Sequence, residues 1–148
     1  MQYRTHVSFD GDFPSDAVFD AGGDISVPPG KELAEHLAFG LRNKGCSCSD
    51  VEQHEYYAWV FDVRGHRMSV ECLVQFAEPW LLQVIPHPSL IGYIAGFKEP
   101  PKVFHRKILE LLNSLLQEGA RFSNAKWFTP EEYESRSSPG ASVPVQDT

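Results

Sequence analysis

A chain of 148 residues, 42% hydrophobic and 22% charged, has the composition of one soluble globular domain. Its formal net charge of −7 argues against general affinity for nucleic acid or anionic lipid, both of which call for a basic surface. No apolar run approaches the roughly 20 residues of a membrane span, and Met1–His6 carries no apolar leader, so the expected setting is the cytosol, away from membranes.

Residues 3–9 alternate Tyr3, Thr5, Val7 and Phe9 against Arg4, His6 and Ser8, the period of a strand. Residues 10–30 then read as a long connection, punctuated by Gly11, Pro14, Gly22, Gly23, Pro28, Pro29 and Gly30. A connection of this length inside a compact domain tends to be functional or mobile. It holds Asp10, Asp12, Asp16, Asp20 and Asp24 and no basic residue, which makes it a candidate anionic docking surface. Turn chemistry alone also accounts for many aspartates. A calcium loop of the EF-hand kind is excluded by spacing, because a loop begun at Asp10 would have Pro14 at position 5, Ser15 at 6 and Ala21 at 12. Phe13, Val18, Phe19 and Ile25 are expected to pin this loop to the core.

The periodicity predicts a helix over 30–44, with Leu33, Ala34, Leu37, Ala38 and Leu41 as its apolar stripe, His36 exposed and Phe39 at the stripe's edge. Gly45 suits its stop. Cys46 and Cys48 follow at a strand start. With Cys72 they make an odd count, which does not form a disulfide framework, and no second pair exists to complete a zinc site. No metal or cofactor is expected.

Residues 56–86 organise the chain as three antiparallel strands. Tyr57, Trp59, Phe61 and Val63 alternate inward, as do Met68, Val70, Cys72, Val74 and Phe76. A turn at Gly65 that pairs Val63 with Met68 makes the two apolar faces coincide. A three-residue turn at 77–79 adds Trp80, Leu82 and Val84. The opposite face carries Asp62, Arg67, Glu71 and Gln75 and meets water or a partner.

Residues 87–101 are apolar but broken by Gly92, Gly96 and several prolines, and form either a cover over a sheet edge or a sticky surface. A second helix is predicted over 102–118, with Val103, Phe104, Ile108, Leu111, Leu112, Leu115 and Leu116 on its stripe and a cationic cluster, Lys102, His105, Arg106 and Lys107, near its start, which reads first as a solvated face and otherwise as a site for an anion or acidic partner. Residues 120–128 read as a last strand. Thr129 and Pro130 read as the cap and first position of a short helix. The globular domain spans 1–134, and 135–148 has the composition of a disordered tail.

Strands cluster in the middle and are joined by short turns. The expected fold is α+β: an antiparallel sheet of about five to six strands with two main helices on one face. None of the common phosphate-binding, dinucleotide-binding, zinc-protease or serine-hydrolase motifs is present. The acidic balance, the aspartate-rich loop and the half-polar sheet point to a non-catalytic protein-binding domain. In size, acidity and cytosolic character the chain is similar to small immunity proteins and antitoxins, a likeness of type that no motif carries. It implies occlusion of a basic partner. The competing expectation is a small-ligand binder or enzyme with a cleft near 87–101, drawing on His54, Glu55, His87 and Tyr93. A homo-oligomer formed through an edge strand or the Leu90–Phe97 patch is a third.

Overall fold

The computed structural model describes residues 3–65, 68–77, 79–88 and 101–146. The alternating segments form an antiparallel sheet of seven strands. In chain order these are β1 (His6–Gly11), β4 (Ser47–Cys48), β5 (Glu52–His54), β6 (Ala58–Gly65), β7 (Met68–Phe76), β8 (Trp80–Pro88) and β9 (Phe122–Phe128). A separate two-stranded hairpin, β2 (Val18–Phe19) and β3 (Ile25–Val27), lies within the first connection. Across the sheet the order is β4, β6, β7, β8, β1, β9, with β5 also on β6. The helices are α1 (Lys31–Asn43), α2 (Pro101–Glu118) and the short α3 (Pro130–Ser135).

One face of the sheet is the core. Val7, Phe9, Trp59, Phe61, Val63, Val70, Cys72, Val74, Leu82, Val84 and Trp127 form a single cluster with Leu33, Leu37 and Leu41 of α1 and Ile108, Leu112 and Leu116 of α2. Each large apolar side chain removed from water contributes about 1.5–3 kcal/mol, so this layer is the main source of stability. The α+β architecture with both main helices on this face agrees with the sequence pattern; the sheet has more strands than expected because β4 and β5 both pair with β6.

The register of the central hairpin is two residues tighter than expected. Gly65 pairs with Met68, which puts Val63 opposite Val70, Phe61 opposite Cys72 and Trp59 opposite Val74. A shift of two leaves every side chain on its own face, so alternation alone does not separate these registers. The tighter pairing leaves Tyr57 beyond the strand and 40% exposed.

The stripe of α2 also differs from the prediction. Its buried line is His105, Ile108, Leu109, Leu112 and Leu116, whereas Val103 is exposed. His105, assigned by sequence to a solvated cationic face, is buried: its Nε2 lies 3.0 Å from the Val84 carbonyl oxygen, and its ring stands edge-on to Tyr3. Burial lowers its pKa, and the Val84 bond only partly offsets this. The neutral ring, donating from Nε2, is a core residue and not part of an anion site.

The segment after α3 also departs from its composition. Arg136 takes a left-handed conformation (φ 53°) and turns the chain back along β9. There Ala141 and Trp127 exchange two backbone hydrogen bonds of 2.8 Å. Pro144 accepts a bond from the Arg4 amide, and Val145 joins the core. The open edge of β9 and the apolar cluster that Val145 joins supply the partners that the tail's own sequence lacks. Among the described residues, no helix is long and apolar enough to cross a membrane.

Candidate functional site

The antiparallel pairing gathers several turns at one end of the sheet. β1 ends there with Gly11 opposite Phe122, β5 turns into β6 through Tyr56 and Tyr57, and β7 turns into β8 with Phe76 opposite Trp80. The chain from 12 to 30 leaves from this end and returns to it at Gly30. Gly30 has φ 120°, and an added Cβ there would sit within 3.3–3.6 Å of Trp80, Val74 and Trp59. Absence of a side chain lets the loop close tightly over the sheet end.

The five aspartates do different things. Asp16 is structural: its Oδ1 accepts from the Gly30 amide (2.8 Å) and its Oδ2 from the Glu32 amide (3.0 Å). Gly30, the residue at the cap position, has no side chain to use, so an aspartate 14 residues earlier takes the Gly30 amide and one orphan amide of α1, that of Glu32. Asp20 organises its own turn, accepting from the amides of Gly22 and Asp24. Asp10, Asp12 and Asp24 are exposed. Asp10 accepts one bond, from Asn124 Nδ2 at 2.7 Å.

The loop also differs from expectation in its apolar residues. Phe13 packs on the core, but Val18, Phe19 and Ile25 do not; they stand 51%, 61% and 42% exposed on the hairpin. The hairpin is held by polar ties, with Gln53 Nε2 donating to the Ser26 carbonyl and Trp59 Nε1 donating to the Pro28 carbonyl. Tyr56 and Phe76 are likewise exposed at this end. Aspartates and exposed apolar side chains therefore share one end of the molecule.

Two clefts adjoin it. One, of about 420 Å³, is lined by Asp10, Gly11, Phe76, Pro79 and Trp80. The larger, about 600 Å³, runs along the outer face of α1 between Glu32, His36, Phe39, Arg42, Asp50 and Arg121. Its two arginines are occupied: Arg42 donates to the Ser49 carbonyl, and Arg121 donates to the Asp12 carbonyl while lying 3.7 Å from the centre of the Phe13 ring. His36 stands edge-on to Phe13 and Phe122; burial, then the Arg121 charge, lowers its pKa below the usual histidine value.

The competing cleft of His54, Glu55, His87 and Tyr93 is not assembled by the described residues. His54 pairs with Ala58 at the start of β6, whereas His87 pairs with Ser69, whose other partner is Arg64 near the end of β6. Six residues of strand separate these rows, about 20 Å at the usual rise. His87 instead lies 3.5 Å from Glu71 on the polar face, where Glu71 stands opposite Asp62. Tyr93, with the rest of 89–100, and Arg67 lie outside the described residues.

The cysteines are not poised for chemistry. Burial, then the neighbouring Cys46, pushes the Cys48 thiol up to about 11, and complete burial raises Cys72. The thiolate is the nucleophile and metal ligand, so such shifts favour the inert form. Among the described residues no group of three or more His, Cys, Asp or Glu side chains is arranged to hold a metal ion.

Phe76, Trp80 and Asn124 were missed as site residues by sequence reasoning. Phe76 and Trp80 carry a strand signal, and alternation assigns both to the core. Trp80 is buried, but Phe76 is the last residue of β7, beyond the cover of the helices. No protein-family profile, curated protein or solved structure was found to match the chain.

Proposed function

We propose that this chain is a non-catalytic protein-binding domain that occludes a basic partner with the hairpin end of its sheet, acting as immunity proteins and antitoxins do. The observation that carries this reading is the coincidence of exposed Asp10, Asp12, Asp20 and Asp24 with exposed Val18, Phe19, Ile25, Tyr56 and Phe76 at one end of the molecule. Apolar and aromatic side chains supply the contact energy of an interface. Surrounding carboxylates select a cationic partner and speed its encounter. The acidic balance disfavours nucleic acid as that partner.

Tagged protein recovered from its source cells, with the mass of the complex determined, tests this. A stoichiometric basic protein lost at high salt is the expected result. Reversing Asp10, Asp12 and Asp24 to lysine, while keeping Asp16 to cap α1 and Asp20 to hold its turn, should lower affinity at least about tenfold and flatten its salt dependence. Unchanged affinity and salt dependence would refute the docking role of this end.

A further inference from the structure

We propose that the basic partner is held by strand addition: an extended segment carrying lysine or arginine pairs with the outer edge of β2 and lays an apolar side chain on Phe19 and Ile25. This rests on the protein-binding reading above and names the mode of recognition. Three observations build the site.

The first is the direction of the backbone groups. Asp20 donates its amide to the Asp24 carbonyl at 2.8 Å, so its backbone N–H points across the hairpin. Phe19, one residue earlier on β2, lies opposite Ile25. Hydrogen bonding alternates along an antiparallel pair, so Phe19 and Ile25 are a non-hydrogen-bonded pair. The Phe19 N–H and C=O therefore point away from β3. No described residue beyond the hairpin bonds to either group. Both residues of β2 are exposed, which leaves this edge accessible.

The second is the place of β2 in the hairpin. It is β3 that is tied to the main sheet, through its Ser26 carbonyl, which accepts from Gln53 Nε2 of β5 at 3.0 Å. β2 is the outer strand. A strand edge with unpaired backbone groups is a template for another strand.

The third is side chain and charge. The side chains of a non-hydrogen-bonded pair stand close together on one face. Phe19 and Ile25 make such a pair and are 61% and 42% exposed. Asp20 follows Phe19 and Asp24 precedes Ile25; both are exposed, and residues 10–30 hold no basic residue. Main-chain pairing supplies attachment, the apolar pair supplies contact area, and the carboxylates select cationic neighbours. A second copy of this chain suits the edge poorly, because pairing β2 with itself sets two aspartate-rich hairpins side by side.

The test uses the peptide acetyl-Lys-Val-Lys-Val-Lys-Val-amide as probe. Its controls are the same peptide N-methylated throughout, which cannot donate from its backbone, and the analogue with glutamate in place of lysine. Each is titrated into the full isotope-labelled chain and followed by NMR. The lysine peptide should shift the Phe19 and Ile25 amides and slow hydrogen exchange at Phe19, and neither control should do so. Phe19→Pro removes the outward N–H, a change that an edge strand tolerates. It should weaken the peptide about fivefold beyond Phe19→Ala, which removes only the ring, as loss of one hydrogen bond implies. Asp24→Lys should weaken it about threefold, as reversal of one exposed charge implies. The amide spectrum of the main sheet checks that each variant is folded.

Equal binding of the N-methylated peptide, or lysine-peptide shifts confined to α1 or the main sheet, would overturn the assignment. So would a dimer of the free chain that Phe19→Pro dissolves, which would put a second copy on this edge. A captured basic partner with the same affinity for Phe19→Pro and Phe19→Ala would also overturn it, and the protein-binding reading would stand without strand addition. Peptide binding at β2 with no partner in the source cells would sustain the edge as a strand receptor and overturn that reading.

Discussion

Residues 12–30 and residues 136–146 are both rich in glycine, proline and serine, yet the fold uses them in opposite ways. The first connection packs Phe13 on the core but keeps its hairpin's apolar side chains outside: Val18, Phe19 and Ile25 are exposed. The tail puts Val145 into the core and pairs Ala141 with the edge strand. The difference lies in what each segment meets. The tail runs past the edge strand β9 and the apolar layer, pairing with the one and packing into the other. The connection crosses the end of the sheet, and it is tied down by polar bonds from Asp16, Gln53 and Trp59. Polar ties fix the path of a chain without burying its apolar groups. That leaves a hydrophobic surface beside the aspartates.

This contrast can be broken at three positions. The largest effect is expected at Trp127, which is fully buried, donates its indole N–H to Asn113 Oδ1 at 2.9 Å and holds Ala141 through its backbone. Trp127→Ala should cost about 3–5 kcal/mol in urea unfolding and speed proteolysis after Arg136. A loss below about 1 kcal/mol would mean that the tail does not share the core.

A smaller effect is expected at Asp16. Asp16→Ala removes the acceptor of the Gly30 and Glu32 amides and should cost about 0.5–2 kcal/mol, the range of a lost helix cap. Hydrogen exchange should quicken at those two amides while the centre of α1 stays protected. Unaltered exchange at Gly30 and Glu32 would return Asp16 to the docking surface.

The smallest effect on stability is expected at Phe19. Phe19→Ser on the exposed hairpin should change the unfolding free energy by less than about 0.5 kcal/mol. A cost of several kcal/mol would show the hairpin folded onto the core and would close the proposed surface.

Much of the framework was legible in the sequence because it rests on short-range periodicity. Trp59, Phe61 and Val63 alternate with polar or small neighbours, and the 30–44 stripe of Leu33, Leu37 and Leu41 repeats at helical spacing. The structure buries all of them. Thr129 caps α3 through a reciprocal bond pair with Glu132, a pattern readable within four residues. The candidate site was legible only in outline. The aspartates stood out as a group. Nothing local distinguishes Asp16, which caps a helix 14 residues away, from Asp12, whose carboxylate is exposed. Asn124 carried no signal, because its role depends on a bulge formed between strands more than a hundred residues apart.

By itself, then, the sequence determined where the longer strands and the two main helices lie and which face of the central strands and of α1 is apolar, since these follow from the backbone's periods of 2 and 3.6 residues. It also determined the acidic balance. Only the tertiary structure decided the pairing of Gly65 with Met68, the line along which α2 meets the sheet, the burial of His105 and Val145, and the exposure of Phe19 and Phe76. The physical reason is common to all of these. Registers two residues apart bury the same face, and whether an apolar residue is covered depends on what lies across from it.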